Sequence, residues 1–243
     1  MNIAFYQSII LTLSLSLSLS GTGSANTGNL LLNSGFEDGL YHWVATGNAA
    51  LKINSPELRA YEGSVYIYGS ATPTFTVSQD VELEPQGVSI AEIDKGTLRV
   101  HFGGWQAGYY TQKDNGTISI HFIDSNNIEI KSSSLPSFYS NMTWVKQSGV
   151  STIPPQTRFI RFQFLGIRRE GSGDDGYLDA AFLRIIREPS LSVKGIGLGA
   201  LELSYSGFLY ESDDLITWRI IADQPVSPYR FFPTQAKQFF QAK

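Results

Sequence analysis

Apolar and polar side chains alternate with a period of two in three stretches of this chain. Over residues 97–102, Leu98, Val100 and Phe102 fall on one face and Arg99 and His101 on the other. Residues 117–122 repeat the pattern with Ile118, Ile120 and Phe122. Residues 159–165 set Ile160, Phe162 and Phe164 against Arg161 and Gln163. Successive side chains of a strand point to opposite faces, so this alternation predicts half-buried strands with one solvated side. Val100, Phe102, Ile118, Phe122, Phe162 and Phe164 are expected to meet in one inter-sheet core. Gly, Pro, Asn and Ser separate the strand patterns throughout, as in a sandwich or barrel. One short helix is predicted near 88–93. No strand–helix–strand rhythm occurs, which argues against a doubly wound α/β fold.

Three segments can be told apart. Residues 8–19 are apolar and Ser-rich, and Gly23-Ser24-Ala25 follows them as a site of small residues. This predicts an export signal spanning 1–25, with Asn26 as the new N-terminus. No Lys or Arg precedes the apolar run, and a buried strand of alternating Leu and Ser is the other reading. Arg187-Glu188-Pro189-Ser190 ends the strand patterns of the main segment, 26–187, because proline breaks a ladder. The tail, 188–243, carries its own strand cues near 201–205, 208–212, 218–221 and 229–232. About 50 residues bury little surface alone.

Composition narrows the partners. Hydrophobic residues make up 42% and charged residues 16%, enough apolar material for a core. A net charge of −4 gives no general attraction to nucleic acid or anionic lipid, so neither is expected as a partner. No stretch after the signal reaches the roughly 18 apolar residues of a membrane span. With no Cys, disulfides, thiolate-held zinc and thiol catalysis are excluded. His42, His101 and His121 form no pair at metal-ligand spacing. Ser204-Tyr205-Ser206-Gly207 lacks the first glycine of a nucleophile elbow. Gly195-Ile196-Gly197-Leu198-Gly199 opens no helix and reads as a flexible or bulged connection, not a phosphate cradle. Two carboxylates for glycoside hydrolysis need only meet in space. The expectation is nevertheless a binding protein and not an enzyme.

Asn29-Leu30-Leu31-Leu32-Asn33-Ser34-Gly35-Phe36-Glu37 followed by Gly39 and Trp43 resembles the opening strand of galactose-binding-like carbohydrate-binding modules. Gly104-Trp105-Gln106-Ala107-Gly108-Tyr109 with Asp114-Asn115-Gly116, and Gly166-Ile167-Arg168-Arg169 with Asp174-Asp175-Gly176-Tyr177-Leu178-Asp179, resemble later parts of the same sandwich. The likeness covers about 29 to 187 and implies an all-β, jelly-roll β-sandwich. It departs from the usual closing strand at Ala180-Ala181. The tail resembles the short β module that ends secreted proteins of verrucomicrobia, on Tyr210-Glu211-Ser212-Asp213-Asp214-Leu215, Trp218 and Phe239-Phe240. Trp218, Phe239 and Phe240 are read as the core of that module.

The resemblance implies a structural calcium ion held by the Glu37 and Asp179 carboxylates, with backbone oxygens near Gly63 and Ser64 completing the shell. It also implies a glycan or cell-surface polysaccharide as partner, outside the cell, at its surface or in a periplasm. Sugars are bound by aromatic faces with polar groups fixing the hydroxyls. The candidates are Trp105, Tyr109, Tyr110 and Tyr177, with Gln106, Arg168 and Asp174 as polar partners. Trp105 and Tyr177 are equally readable as caps on the sandwich. The alternative function is a structural or adhesive matrix protein with no small ligand, acting through self-association.

Overall fold

The computed structural model describes residues 26–187, 190–197, 200–206, 209–212, 216–217, 219–221, 229–231 and 239–242. The predicted signal and Trp218 lie outside the described residues. The strands of the main segment are β1 (Val44–Thr46), β2 (Ala49–Ile53), β3 (Val65–Gly69), β4 (Thr74–Glu82), β5 (Arg99–Ala107), β6 (Asn115–Ile123), β7 (Glu129–Ser134), β8 (Val145–Thr152), β9 (Phe159–Ile167) and β10 (Asp174–Ile186). They form two five-stranded sheets, ordered β1-β4-β9-β6-β7 and β2-β3-β10-β5-β8. All the pairings are antiparallel. The fold is all-β, a jelly-roll β-sandwich. Among the described residues no helix is long and apolar enough to cross a membrane.

The period-two faces meet as the alternation requires. Val100, Phe102, Ile118, Phe122, Phe162 and Phe164 are at most 1% exposed and belong to one core. Each residue touching across the sheets removes apolar surface from water at roughly 25 cal/mol per Å². The helix, α1, is Ile90–Asp94, and its start is fixed by a capping box: Ser89 accepts from the Glu92 amide and Glu92 accepts from the Ser89 amide. Arg187, just beyond β10, donates to Glu92 at 3.0 Å and so ties α1 to the strand.

Two features of β10 position the site. Its ladder with β5 slips between Asp179 and Phe182, and Ala180 there has φ 44°. Before this bulge Leu178 faces the core; after it Ala181, Leu183 and Ile185 do. The segment before β1 then runs along β10 by side-chain bonds. Asn29 Oδ1 accepts the Leu183 amide at 3.0 Å and Thr27 Oγ1 accepts the Ile185 amide at 2.8 Å. The opening and closing segments of the sandwich are thereby neighbours.

The tail forms a separate compact unit. β11 (Ser190–Gly197), β12 (Ala200–Ser206) and β15 (Tyr229–Phe231) make one three-stranded sheet. β13 (Leu209–Ser212), β14 (Arg219–Ile220) and β16 (Phe239–Ala242) make another. Leu203 is buried against Val193, Ile221, Tyr229 and Phe240. The register of β11 on β12 shifts between Gly195 and Gly197, a bulge in the glycine-rich run.

Candidate functional site

The acids of the opening and closing segments converge on residues 61–65. Glu37 Oε1 accepts the amides of Ser64 at 2.8 Å and Val65 at 3.1 Å. Gly63 has φ +68°, and a Cβ there would overlap the Glu37 carboxylate, so only glycine fits both demands. Asp179 is fully buried and accepts the amides of Glu62 at 3.0 Å and Ala180 at 2.7 Å. Burial pushes its carboxyl up to about 7, against those amides, and the neighbouring Glu62 charge pushes the same way. Gly35 lies against both: its Cβ position is 3.6 Å from Asp179 Oδ1 and 4.0 Å from Glu62 Oε2.

These donors answer the predicted calcium site unevenly. Glu37 and Asp179 are hard oxygen donors of the right type, and Asp179 is a buried carboxyl with no ion-pair partner among the described residues. The carbonyls of Gly63 and Ser64 are both hydrogen-bonded to Asn54. The Ser64 carbonyl accepts the Asn54 amide at 3.0 Å and the Gly63 carbonyl accepts Asn54 Nδ2 at 3.5 Å. The strand turn thus aims N–H groups at the acids and its oxygens at Asn54. Among the described residues no three His, Asp or Glu side chains are grouped as metal ligands.

Beside these acids is an aromatic recess. Tyr61 stacks on Trp105 with ring centres 3.8 Å apart and planes 15° from parallel. Trp105 stands opposite Asp179 in the β5–β10 ladder. The recess holds about 210 Å³, and its wall includes Glu62, Lys146, Phe182 and Arg184 with the two rings. Asn29 also lines it, but its side chain is committed to β10. A recess of about 350 Å³ on the other sheet is floored by the Asp80–Arg161 ion pair and by Gln79, which bonds the Leu32 backbone. Those polar groups are spent on one another.

The other candidate residues gather around the end of β5 and the start of β10. Asp114 accepts the amides of Arg169, Glu170 and Asp175, tying the β5–β6 loop to the β9–β10 loop. Lys52 Nζ donates to the Tyr177 hydroxyl at 2.8 Å and lies 5.3 Å from the Tyr109 ring centre. Tyr109 and Tyr110 are exposed and meet edge to face at 4.6 Å. Arg168 is bonded to the Ser172 carbonyl. Tyr177 and Asp174 are both fully buried. Tyr177 packs with Tyr66, Leu58 and Ala107 under the loops that cover the outer face of this sheet. Asp174 and Gln106 face inward, and Asp174 Oδ2 and the Gln106 amide have no hydrogen-bond partner there. Burial pushes Asp174 up to about 7, with Asp114 and Asp175 adding to it and the Gly176 amide opposing.

Tyr61, Glu62, Lys146 and Arg184 were not among the predicted ligand-binding residues. Lys146 and Arg184 come from strands that become neighbours of β5 only in the folded sheet.

The chain matches no family model and no curated protein. Solved structures show similarity over the sandwich. A CBM61 module, TmCBM61, solved with β-1,4-galactotriose, is 23% identical, with a TM-score of 0.46 over 67% of this chain and 100% of that one. A family 16 carbohydrate-binding module is 20% identical, with a TM-score of 0.46 over 64% and 99%. The CBM22-1 xylan-binding domain of Paenibacillus barcinonensis Xyn10C is 13% identical, with a TM-score of 0.45 over 68% and 99%.

Proposed function

We propose that the sandwich is a non-catalytic, glycan-binding module of an exported protein. The observation that carries this reading is the Tyr61–Trp105 pair set in a recess with Glu62, Lys146 and Arg184. An aromatic face covers the apolar C–H face of a sugar, and charged groups at the rim bond its hydroxyls. Tyr61 is 45% exposed, so its outer face is open to a ring. Binding is tested on a glycan array and then by titration with the best soluble polysaccharide. Tyr61→Ala and Trp105→Ala are each expected to weaken it about tenfold or more, as loss of a central aromatic does. A flat array overturns the reading. A flat array with concentration-dependent sedimentation favours the structural or adhesive alternative.

Export is part of the proposal. Mass spectrometry of the secreted protein is expected to find Asn26 at the N-terminus, and a full-length cytoplasmic chain overturns it.

A calcium ion between Glu37 and Asp179 completes the reading. The buried Asp179 carboxyl, which has no ion-pair partner among the described residues, supports it, since a divalent ion there would favour its ionised form. An ion that binds only the folded state stabilises it by mass action. The thermal midpoint is expected to fall on chelation, and to stop responding in Glu37→Ala or Asp179→Ala. An unchanged native midpoint discards the ion.

A further inference from the structure

The two ends of the Tyr61–Trp105 recess differ in charge. At one end Lys146 Nζ lies 5.1 Å and Arg184 Cζ 5.4 Å from the centre of the Phe182 ring. Lys146 is on β8 and Arg184 on β10, and both flank β5, so the sheet order brings them to the same ring. Both are exposed, and neither has a carboxylate partner among the described residues. His101 meets the same Phe182 ring edge to face at 4.8 Å. Its pKa is lowered, by burial first and then by the charges of Lys146 and Arg184. Glu62 stands at the other end, beside Tyr61, and is the one carboxylate among the described residues of the recess wall.

Resting on the glycan-binding reading above, we propose that this recess selects an acidic polysaccharide, with the anionic group of one sugar held between Lys146 and Arg184. Phe182 holds both cationic side chains in place by cation–π contact, so less side-chain freedom is lost when an anion arrives. Arg184 presents a planar fork that matches a carboxylate or sulfate, and Lys146 adds a compact point charge. Tyr61 and Trp105 take the sugar face next to it. Glu62 at the far end accepts hydroxyl hydrogens and repels a second anion, which gives the bound chain a direction.

Either a uronic acid carboxylate or a sulfate ester supplies this chemistry, and the test separates them. Purified protein is titrated with polygalacturonate, dextran sulfate and neutral β-1,4-galactan, at low and at high salt. The expected result is binding to one of the two anionic polymers, weakened at least tenfold by Lys146→Gln/Arg184→Gln and by salt, and weakened also by Tyr61→Ala. A melt identical to the parent's shows that the double variant is folded. Galactan bound as tightly as the anionic polymers, with the double variant unimpaired, overturns this inference and leaves glycan binding standing. Anionic polymer bound equally by parent and double variant is general ion exchange and also overturns it. No binding to any polymer, with a flat array, overturns both readings.

Discussion

Phe162→Ala is expected to destabilise the sandwich by about 3–5 kcal/mol, the range for a large buried ring cut back to a methyl group. Phe162 is fully buried at the middle of β9, where its register partners are Gln79 on β4 and Ile120 on β6. Its ring meets Trp43 edge-on at 5.9 Å, and Trp43 in turn lies 5.0 Å from Phe36. Strands on both sides hold the backbone, so the site is poorly able to collapse onto the void. A loss of this size is a large share of the roughly 5–15 kcal/mol that holds a domain together. The midpoint of a thermal melt should fall by roughly 6–20 °C for a domain of this size. Phe162→Leu, which keeps most of the volume, should cost clearly less. A Phe162→Ala midpoint equal to the parent's would mean that β9 is in the wrong register. Because Trp43 also donates its ring N–H to the Asn33 carbonyl, the same variant loosens the turn that carries Glu37.

The second large effect is a dependence on pH centred on Asp174. Its carboxyl titrates near 7 in the folded protein, raised by burial. In the unfolded chain an aspartate titrates near 3.9. Below pH 4 both states hold the proton and the group is neutral in the balance. Between about 4 and 7 the unfolded chain has released it and the folded protein has not, so stability falls as pH rises. Above 7 the loss is complete. Three pH units correspond to about 4 kcal/mol. Asp94 and Asp124, held low by Arg158 and by the Ile128 amide respectively, act in the opposite sense only at more acidic pH. Asp179, also raised to about 7 by burial, acts in the same sense, so chemical denaturation between pH 4 and 8 should show falling stability, and Asp174→Asn should remove about half of that fall. An Asp174→Asn curve parallel to the parent's would show that the carboxyl is already ionised and paired.

Why some of this was legible and some not is a matter of which faces meet water. β5, β6 and β9 each keep a polar side, so their alternation shows in the sequence. Carried on from Val100, that alternation already puts Gln106 on the core face. The helix shows through Ser89 and Glu92, whose capping pattern is local. β10 has no clean alternation, because its bulge breaks the period and loops cover its outer face at Tyr177. The recess is made of Tyr61 and Glu62 from a loop, Trp105 from β5, Lys146 from β8, and Phe182 and Arg184 from β10, and no local pattern foretells their meeting. Tyr109 and Tyr110 do share one exposed corner, because they are adjacent in the chain.

The extra residue in β10 decides which side of the sheet each later residue of the strand serves. Asp179 and Phe182 are three apart, while their partners Trp105 and Gly103 are two apart. Were Ala180 instead paired in a regular ladder, every later residue of the strand would change sides: Phe182 and Arg184 would turn into the core, and Leu183 and Ile185 out to water. The cationic end of the recess and the last third of the core would be lost together. Deleting Ala180 would straighten the strand and keep the same residues inside, whereas deleting a residue just beyond Phe182 would exchange inside for outside.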